Sequence, residues 1–168
     1  METTVILMGT SRENGNTSSL VKVISEKKNI KIFTLSNFSI TPFDYEHKNI
    51  EDDFIQLVEQ LLSYDHIIFA TPVYWYTMSA QMKVFFDRLS DLLHVKKELG
   101  RKLRGKSCAV ISTGSSEEPK HCFEEVFINS FDYLGMHYKG LLYCYCQDKF
   151  VLKEHQNYIN KQIEEILI

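Results

Sequence analysis

Residues 3–19 read TTVILMGTSRENGNTSS, and this stretch decides the fold. Val5, Ile6, Leu7 and Met8 form an unbroken apolar run, the pattern of a strand buried on both faces of a parallel sheet. The run stops at Gly9. A segment rich in hydroxyls and amides follows, and Leu20, Val21 and Ile24 then begin a helical apolar stripe. A helix starting near Thr17 would aim free N–H groups and the positive end of its dipole into the loop. Gly9 and Gly15 permit tight turns, and Ser11, Arg12, Asn16, Thr17 and Ser18 surround them with donors. The loop therefore reads as an anion site. A capped helix preceded by a solvated turn would use the same residues.

Two phosphate-binding spellings are excluded. GxxxxGK[ST] fails because Asn16 follows Gly15 where lysine is required. GxGxxG fails because Ser11 occupies the position of the second glycine, which argues against a dinucleotide pyrophosphate. A monophosphate fits better.

Strand and helix signals alternate beyond this unit. KIFTL at 31–35, HIIFA at 66–70, SCAVIS at 107–112 and the region 136–146 read as four further strands. Phe54, Leu57, Val58, Leu61 and Leu62 mark one amphipathic helix. Helices are also expected over 79–93, around Phe123 to Leu134 with Gly135 as the cap, and over about 152–167. Five β–α units imply a parallel sheet covered on both sides. The expected architecture is a flavodoxin-like three-layer α/β/α domain, with a five-stranded parallel sheet of order 2-1-3-4-5, spanning residues 1–168 as a single unit. Ligands in such sheets bind at the carboxyl ends of the strands, where the winding reverses.

The loop after the third strand meets that demand. Thr71-Pro72-Val73-Tyr74-Trp75-Tyr76-Thr77-Met78 sets three successive aromatics in a polar loop, and Pro72 stiffens the exit from the strand. A planar ring could lie along Tyr74 and Trp75 and take hydrogen bonds from backbone N–H groups. The same aromatics could seal a subunit interface, and the two roles are compatible. After the fourth strand, Thr113, Gly114 and Ser115 offer a close backbone approach and donors to a heterocycle edge.

Together, GTSRENGNTSSL, TPVYWYTMSAQMKVFFDR and ISTGSS resemble the NADPH-dependent FMN reductase family over about Val5 to Ser116. The resemblance implies that Ser11, Arg12, Asn16, Thr17 and Ser18 hold the FMN phosphate. It implies that Pro72, Val73, Tyr74 and Trp75 flank the ribityl chain and ring, while Thr113, Gly114 and Ser115 close the far side. It also implies NADPH or NADH as electron donor, a small-molecule acceptor and a homodimer. The acceptor stays open between quinone, free flavin, azo or nitro compound and metal ion. An electron-transfer or flavin-binding module that does not oxidise a nicotinamide directly is the alternative. A third reading, a phosphate-binding protein without flavin, uses only the first loop.

Two departures from the family stand out. The stretch 36–45, SNFSITPFDY, has no cysteine where some relatives carry an iron–sulfur cluster. Ser79 replaces the usual proline after the aromatic loop, which is expected to loosen the helix start. The short segment 38–49 is expected to leave the acceptor side open. Basic residues 96–106 (KKELGRKLRGK) read as a solvated linker, with steering of a 2′-phosphate as the alternative.

Bulk composition narrows the partners. Among 168 residues, 44% are hydrophobic and 24% charged, and the net charge of −3 argues against nucleic acid as a partner. No run is long enough to span a bilayer and the N-terminus lacks a signal-peptide layout, so a cytoplasmic protein without membrane contact is expected. Cys108, Cys122, Cys144 and Cys146 read as inert reduced thiols, and no metal site or catalytic acid–base residue is assigned.

Overall fold

The computed structural model describes residues 3–167. Its five parallel strands are β1 (Thr4–Met8), β2 (Lys31–Thr34), β3 (His66–Pro72), β4 (Ser107–Gly114) and β5 (His137–Tyr145), in the order β2-β1-β3-β4-β5. The register sets Met8 beside Ala70 and Thr34, and Pro72 beside Thr113. The expected sheet order is therefore observed, and the ends of β1, β3 and β4 lie at one edge.

The α-helices among the described residues are α1 (Asn16–Lys28), α2 (Phe54–Leu61), α3 (Ala80–Arg88), α4 (Asp91–His94), α5 (Lys97–Arg101), α6 (His121–Leu134) and α7 (Leu152–Leu167). Alternation along the central strands divides the core between two layers. Val5, Leu7, Ile67, Phe69, Cys108 and Val110 face α2, α3 and α6. Ile6, Met8, Ile68, Ala70, Ala109 and Ile111 face α1 and α7. The first layer is rich in aromatics: Phe69 and Phe131 have ring centroids 5.1 Å apart, and Phe86 meets Phe127 edge-on at 5.4 Å. Gly135 caps α6 with φ of 71°, the left-handed conformation expected of it.

Three regions depart from the sequence reading. The helix expected over 79–93 is broken, with α3 ending at Arg88 and α4 beginning at Asp91. The break coincides with a buried charge network. Arg88 Nε donates to Asp91 Oδ2 at 2.6 Å and Nη1 to Asp52 Oδ2 at 2.5 Å, while Nη1 also reaches the Thr41 carbonyl at 3.0 Å. His47 Nδ1 lies 2.7 Å from Asp91 Oδ1, and Phe54 presents its ring to the guanidinium at 4.8 Å. The same network straps the second region, the 38–49 segment, to the end of α3. Burial works against the charged Asp52, yet the bonds from Arg88, Thr41 and Phe54 win and hold its carboxyl below the usual range. Third, the basic 96–106 stretch is more than a solvated linker, because α5 forms within it and Leu99 and Leu103 are buried in the core.

Three of the four thiols pack as small hydrophobes, and Cys122 is exposed. Cys108, Cys144 and Cys146 are buried and free, and burial pushes Cys108 and Cys144 up to about 12.

His66, buried at the start of β3, lies 2.8 Å from Ser107 Oγ by its Nδ1. Burial, with Lys139 nearby, lowers its pKa from 6.5 to about 4. Between those values the unfolded chain takes up a proton that the folded chain refuses, so stability falls as pH drops from 6.5 towards 4. Denaturant unfolding at pH 7 and pH 5 should differ by about 2 kcal/mol from this residue. The difference should shrink in His66→Gln.

Candidate functional site

The first loop, residues 9–15, carries β1 into α1. Gly9 is fixed by close approach: a Cβ there would lie 2.9 Å from Leu35 Cδ1 and 3.1 Å from Met82 Cβ. Gly15 is the N-cap of α1 and offers no side-chain bond to the helix. Among the described residues, no acceptor meets the backbone N–H groups of Asn16, Thr17 or Ser18. Three donors and the helix dipole therefore converge on one point. Arg12 is exposed beside them and forms no ion pair with any described residue. These donors suit a phosphate.

The side chains expected to join them divide into two groups. Ser11 is exposed, with its hydroxyl only loosely placed 3.5 Å from Gln81 Oε1. Asn16 is committed elsewhere, because its Nδ2 donates to the Asp148 carbonyl at 2.9 Å and its Oδ1 accepts from Phe150 N–H at 3.0 Å. Ser18 Oγ donates to the Arg12 carbonyl at 3.0 Å and shapes the loop. Thr17 is buried, its hydroxyl 2.8 Å from that of Thr113. Asn16 and Ser18 thus offer an anion their backbone N–H rather than their side chains.

The second loop leaves β3 at Pro72. Val73 N–H donates to the Thr113 carbonyl at 2.9 Å, and Tyr74 and Thr77 exchange backbone bonds of 2.9 and 3.0 Å around a two-residue turn. The expected ring donors of this segment are therefore not Val73 and Tyr74. Trp75 and Tyr76, whose N–H groups meet no described acceptor, sit at the turn with φ of 46° and 68°. Such values are strained for large side chains, at about 1–3 kcal/mol each. The turn holds Trp75 91% exposed at the same edge as the first loop.

Ser79 links the two loops, and the sequence reading undervalued it. Its side chain caps α3 by accepting from Met82 N–H at 3.2 Å, and it donates to the Gly9 carbonyl at 2.8 Å. Its own N–H donates to Thr71 Oγ1 at 2.9 Å. The residue tightens the helix start, contrary to the expected loosening. Ser79→Ala should cost about 1–3 kcal/mol, because the buried Gly9 carbonyl loses its partner together with the cap. Denaturant unfolding would measure this.

The third loop follows β4. Thr113 is buried against Thr17, and Ser115 and Ser116 are exposed with N–H groups that meet no described acceptor. A Cβ at Gly114 would lie 2.6 Å from the Tyr143 hydroxyl. Ser112 Oγ donates to the Thr71 carbonyl at 2.7 Å, so the second and third loops share a rigid base. The assembled edge offers an anion socket, an exposed aromatic arm and a row of free N–H groups.

Sequence and structure comparisons place the chain among known folds and families. The profile of the NADPH-dependent FMN reductase family matches residues 3–145. YwqN of Bacillus subtilis, whose name describes an NAD(P)H-dependent FMN-containing oxidoreductase, is 29% identical over 146 residues, 80% of each chain. The solved structure of the Trp repressor binding protein from Bacillus subtilis superposes with a TM-score of 0.72 at 25% identity, covering 91% of this chain and 90% of that one. An FMN-dependent NADH-azoreductase from Bacillus anthracis, solved with FMN, shares the fold with a TM-score of 0.72 at 12% identity, over 98% and 97% of the two chains. The chain belongs to the NADPH-dependent FMN reductase family, FMN-dependent oxidoreductases that take electrons from NAD(P)H.

Proposed function

We propose that the protein oxidises NAD(P)H and passes the electrons to a small planar acceptor, with FMN held across the three strand-end loops. The observation that carries this reading is the convergence of unpartnered groups at one edge: the N–H groups of Asn16, Thr17 and Ser18, and the exposed Trp75. The N–H groups and Arg12 would hold the phosphate, with Ser11 at the rim. Pro72, Val73, Tyr74 and Trp75 would form one wall for the ring, and Thr113, Gly114 and Ser115 the other. FMN, when bound, supplies the redox chemistry by accepting hydride from a nicotinamide and releasing electrons to an acceptor. The chain supplies position, donors to the ring edge and partial exclusion of water. No described acid or base at this edge is needed to move a proton.

The acceptor belongs to the planar reducible compounds, quinone, free flavin, azo or nitro compound, because Trp75 and Tyr76 at 91% and 58% exposure offer stacking surface. A metal ion, which needs only access to the ring face, stays open beside them. The same exposed aromatics favour a homodimer that covers the arm, which sedimentation of the loaded protein tests. The free buried thiols fit a reducing compartment such as the cytoplasm, and no described helix is long and apolar enough to cross a membrane.

Anaerobic mixing of the FMN-loaded protein with NADPH or NADH tests the reading. Bleaching of the visible flavin bands by at least one of them, reversed on adding a quinone or azo compound, is expected. If neither bleaches the flavin while dithionite does, the protein is an electron carrier instead.

A further inference from the structure

The third loop has one side-chain tether. Among the described residues, the only side-chain hydrogen bond to residues 114–119 comes from Tyr143, whose hydroxyl donates to the Ser116 carbonyl at 2.6 Å. Tyr143 lies on β5, the edge strand, and an open groove of about 860 Å³ runs between that strand, the 117–124 segment and α7. The loop therefore has little packed behind it apart from this ring. Gly114 allows the contact. A Cβ there would fall 2.6 Å from the Tyr143 hydroxyl, but 3.3 and 3.4 Å from Cε2 and Cζ. All three distances concern one side chain: the hydroxyl would have to move, and the ring contacts would be tight.

We infer that Tyr143 is a positioning residue for the flavin, acting through the Ser115 and Ser116 N–H groups that it holds at the ring edge. This rests on the proposed placement of FMN between the second and third loops. The loop is fixed at its start by the Thr17–Thr113 pair at 2.8 Å and by Cys146 N–H on the Gly114 carbonyl at 2.8 Å. Tyr143 fixes it again two residues on, at Ser116. A phenol stays protonated throughout the neutral range, and burial raises the Tyr143 pKa further, so the hydroxyl remains a donor. Donors held against the ring edge favour the electron-rich reduced flavin over the oxidised one. The tether therefore affects redox potential as well as affinity.

The test is a double-mutant cycle on the FMN-loaded protein, reading FMN dissociation constant and two-electron midpoint potential. Tyr143→Phe keeps the ring and removes the donor. It should weaken FMN about fivefold to tenfold and make the potential more negative, with a shifted visible spectrum. Gly114→Ala should do the same in the wild-type background, by pushing the hydroxyl off Ser116. In the Tyr143→Phe background, Gly114→Ala should add less than it does alone, because the 2.6 Å contact is gone and only the tight ring contacts of 3.3 and 3.4 Å remain to be relieved. A role confined to stability would lower the unfolding midpoint and leave the potential unchanged. Wild-type affinity and potential in Tyr143→Phe would overturn the inference, and so would full additivity of the two substitutions. Failure of the wild-type protein to bind FMN would instead overturn the proposed function.

Discussion

Arg12→Glu is expected to weaken FMN binding about 100-fold and to leave the apo fold intact. Arg12 is exposed, pairs with no described carboxylate, and stands beside the unpartnered N–H groups that open α1. Reversing its charge replaces attraction by repulsion towards a phosphate carrying nearly two negative charges. At contact distances near a protein surface, each unit pair is worth roughly 1–4 kcal/mol, so a loss of two decades is within reach. The effect on the empty protein has the opposite sign, since a carboxylate near a helix N-terminus is mildly favourable. Fluorescence titration of FMN should show the loss, and thermal unfolding of the apo protein should show none. Riboflavin, which lacks the phosphate, should bind wild type and variant alike. Wild-type affinity also falls with added salt, and the slope should flatten in the variant.

Arg88→Ala is the substitution with the largest expected effect on stability. Arg88 and Asp91 are fully buried, and the side chain of Asp52 is 10% exposed. Removing the guanidinium leaves two carboxylates facing each other without their cation, and frees the Thr41 carbonyl that it held. Breaking such a pair from one side costs about 3–5 kcal/mol. For a chain of this size, each kcal/mol lowers the unfolding midpoint by roughly 2–4 °C, so a drop of about 6–20 °C is expected by calorimetry. Arg88→Met combined with Asp52→Asn and Asp91→Asn should recover part of the loss, because the uncompensated charges are gone. A cost below about 1 kcal/mol for Arg88→Ala would contradict the role assigned to the network.

Which features the sequence revealed follows from the range of the interactions involved. Buried strands and amphipathic helices are local patterns, so the apolar run 5–8 and the spacing of Phe54, Leu57, Val58 and Leu61 announced their elements. Chain order and the handedness of crossovers then left few ways to arrange five β–α units, and the strand order followed. The Arg88 network was hidden because Thr41 and Asp52 lie 47 and 36 positions from it in sequence. Ser79 looked like a lost proline because its two longest-range bonds reach 70 and 8 residues back along the chain. Within the candidate site, the donor-rich composition of the first loop was legible, but the direction of each side chain was not. Asn16 shows the difference: its amide spans 132 residues to the segment between β5 and α7. Tyr143 carried no local signal at all, since its partner Ser116 lies on another strand's loop.

Side-by-side titration of the wild-type protein with FMN and with riboflavin tests the central claim most directly. If the first loop grips a phosphate while the other two hold the ring, FMN should saturate one site per chain and bind at least about 100-fold more tightly than riboflavin. Equal affinity for the two, or saturation by neither, would contradict the account.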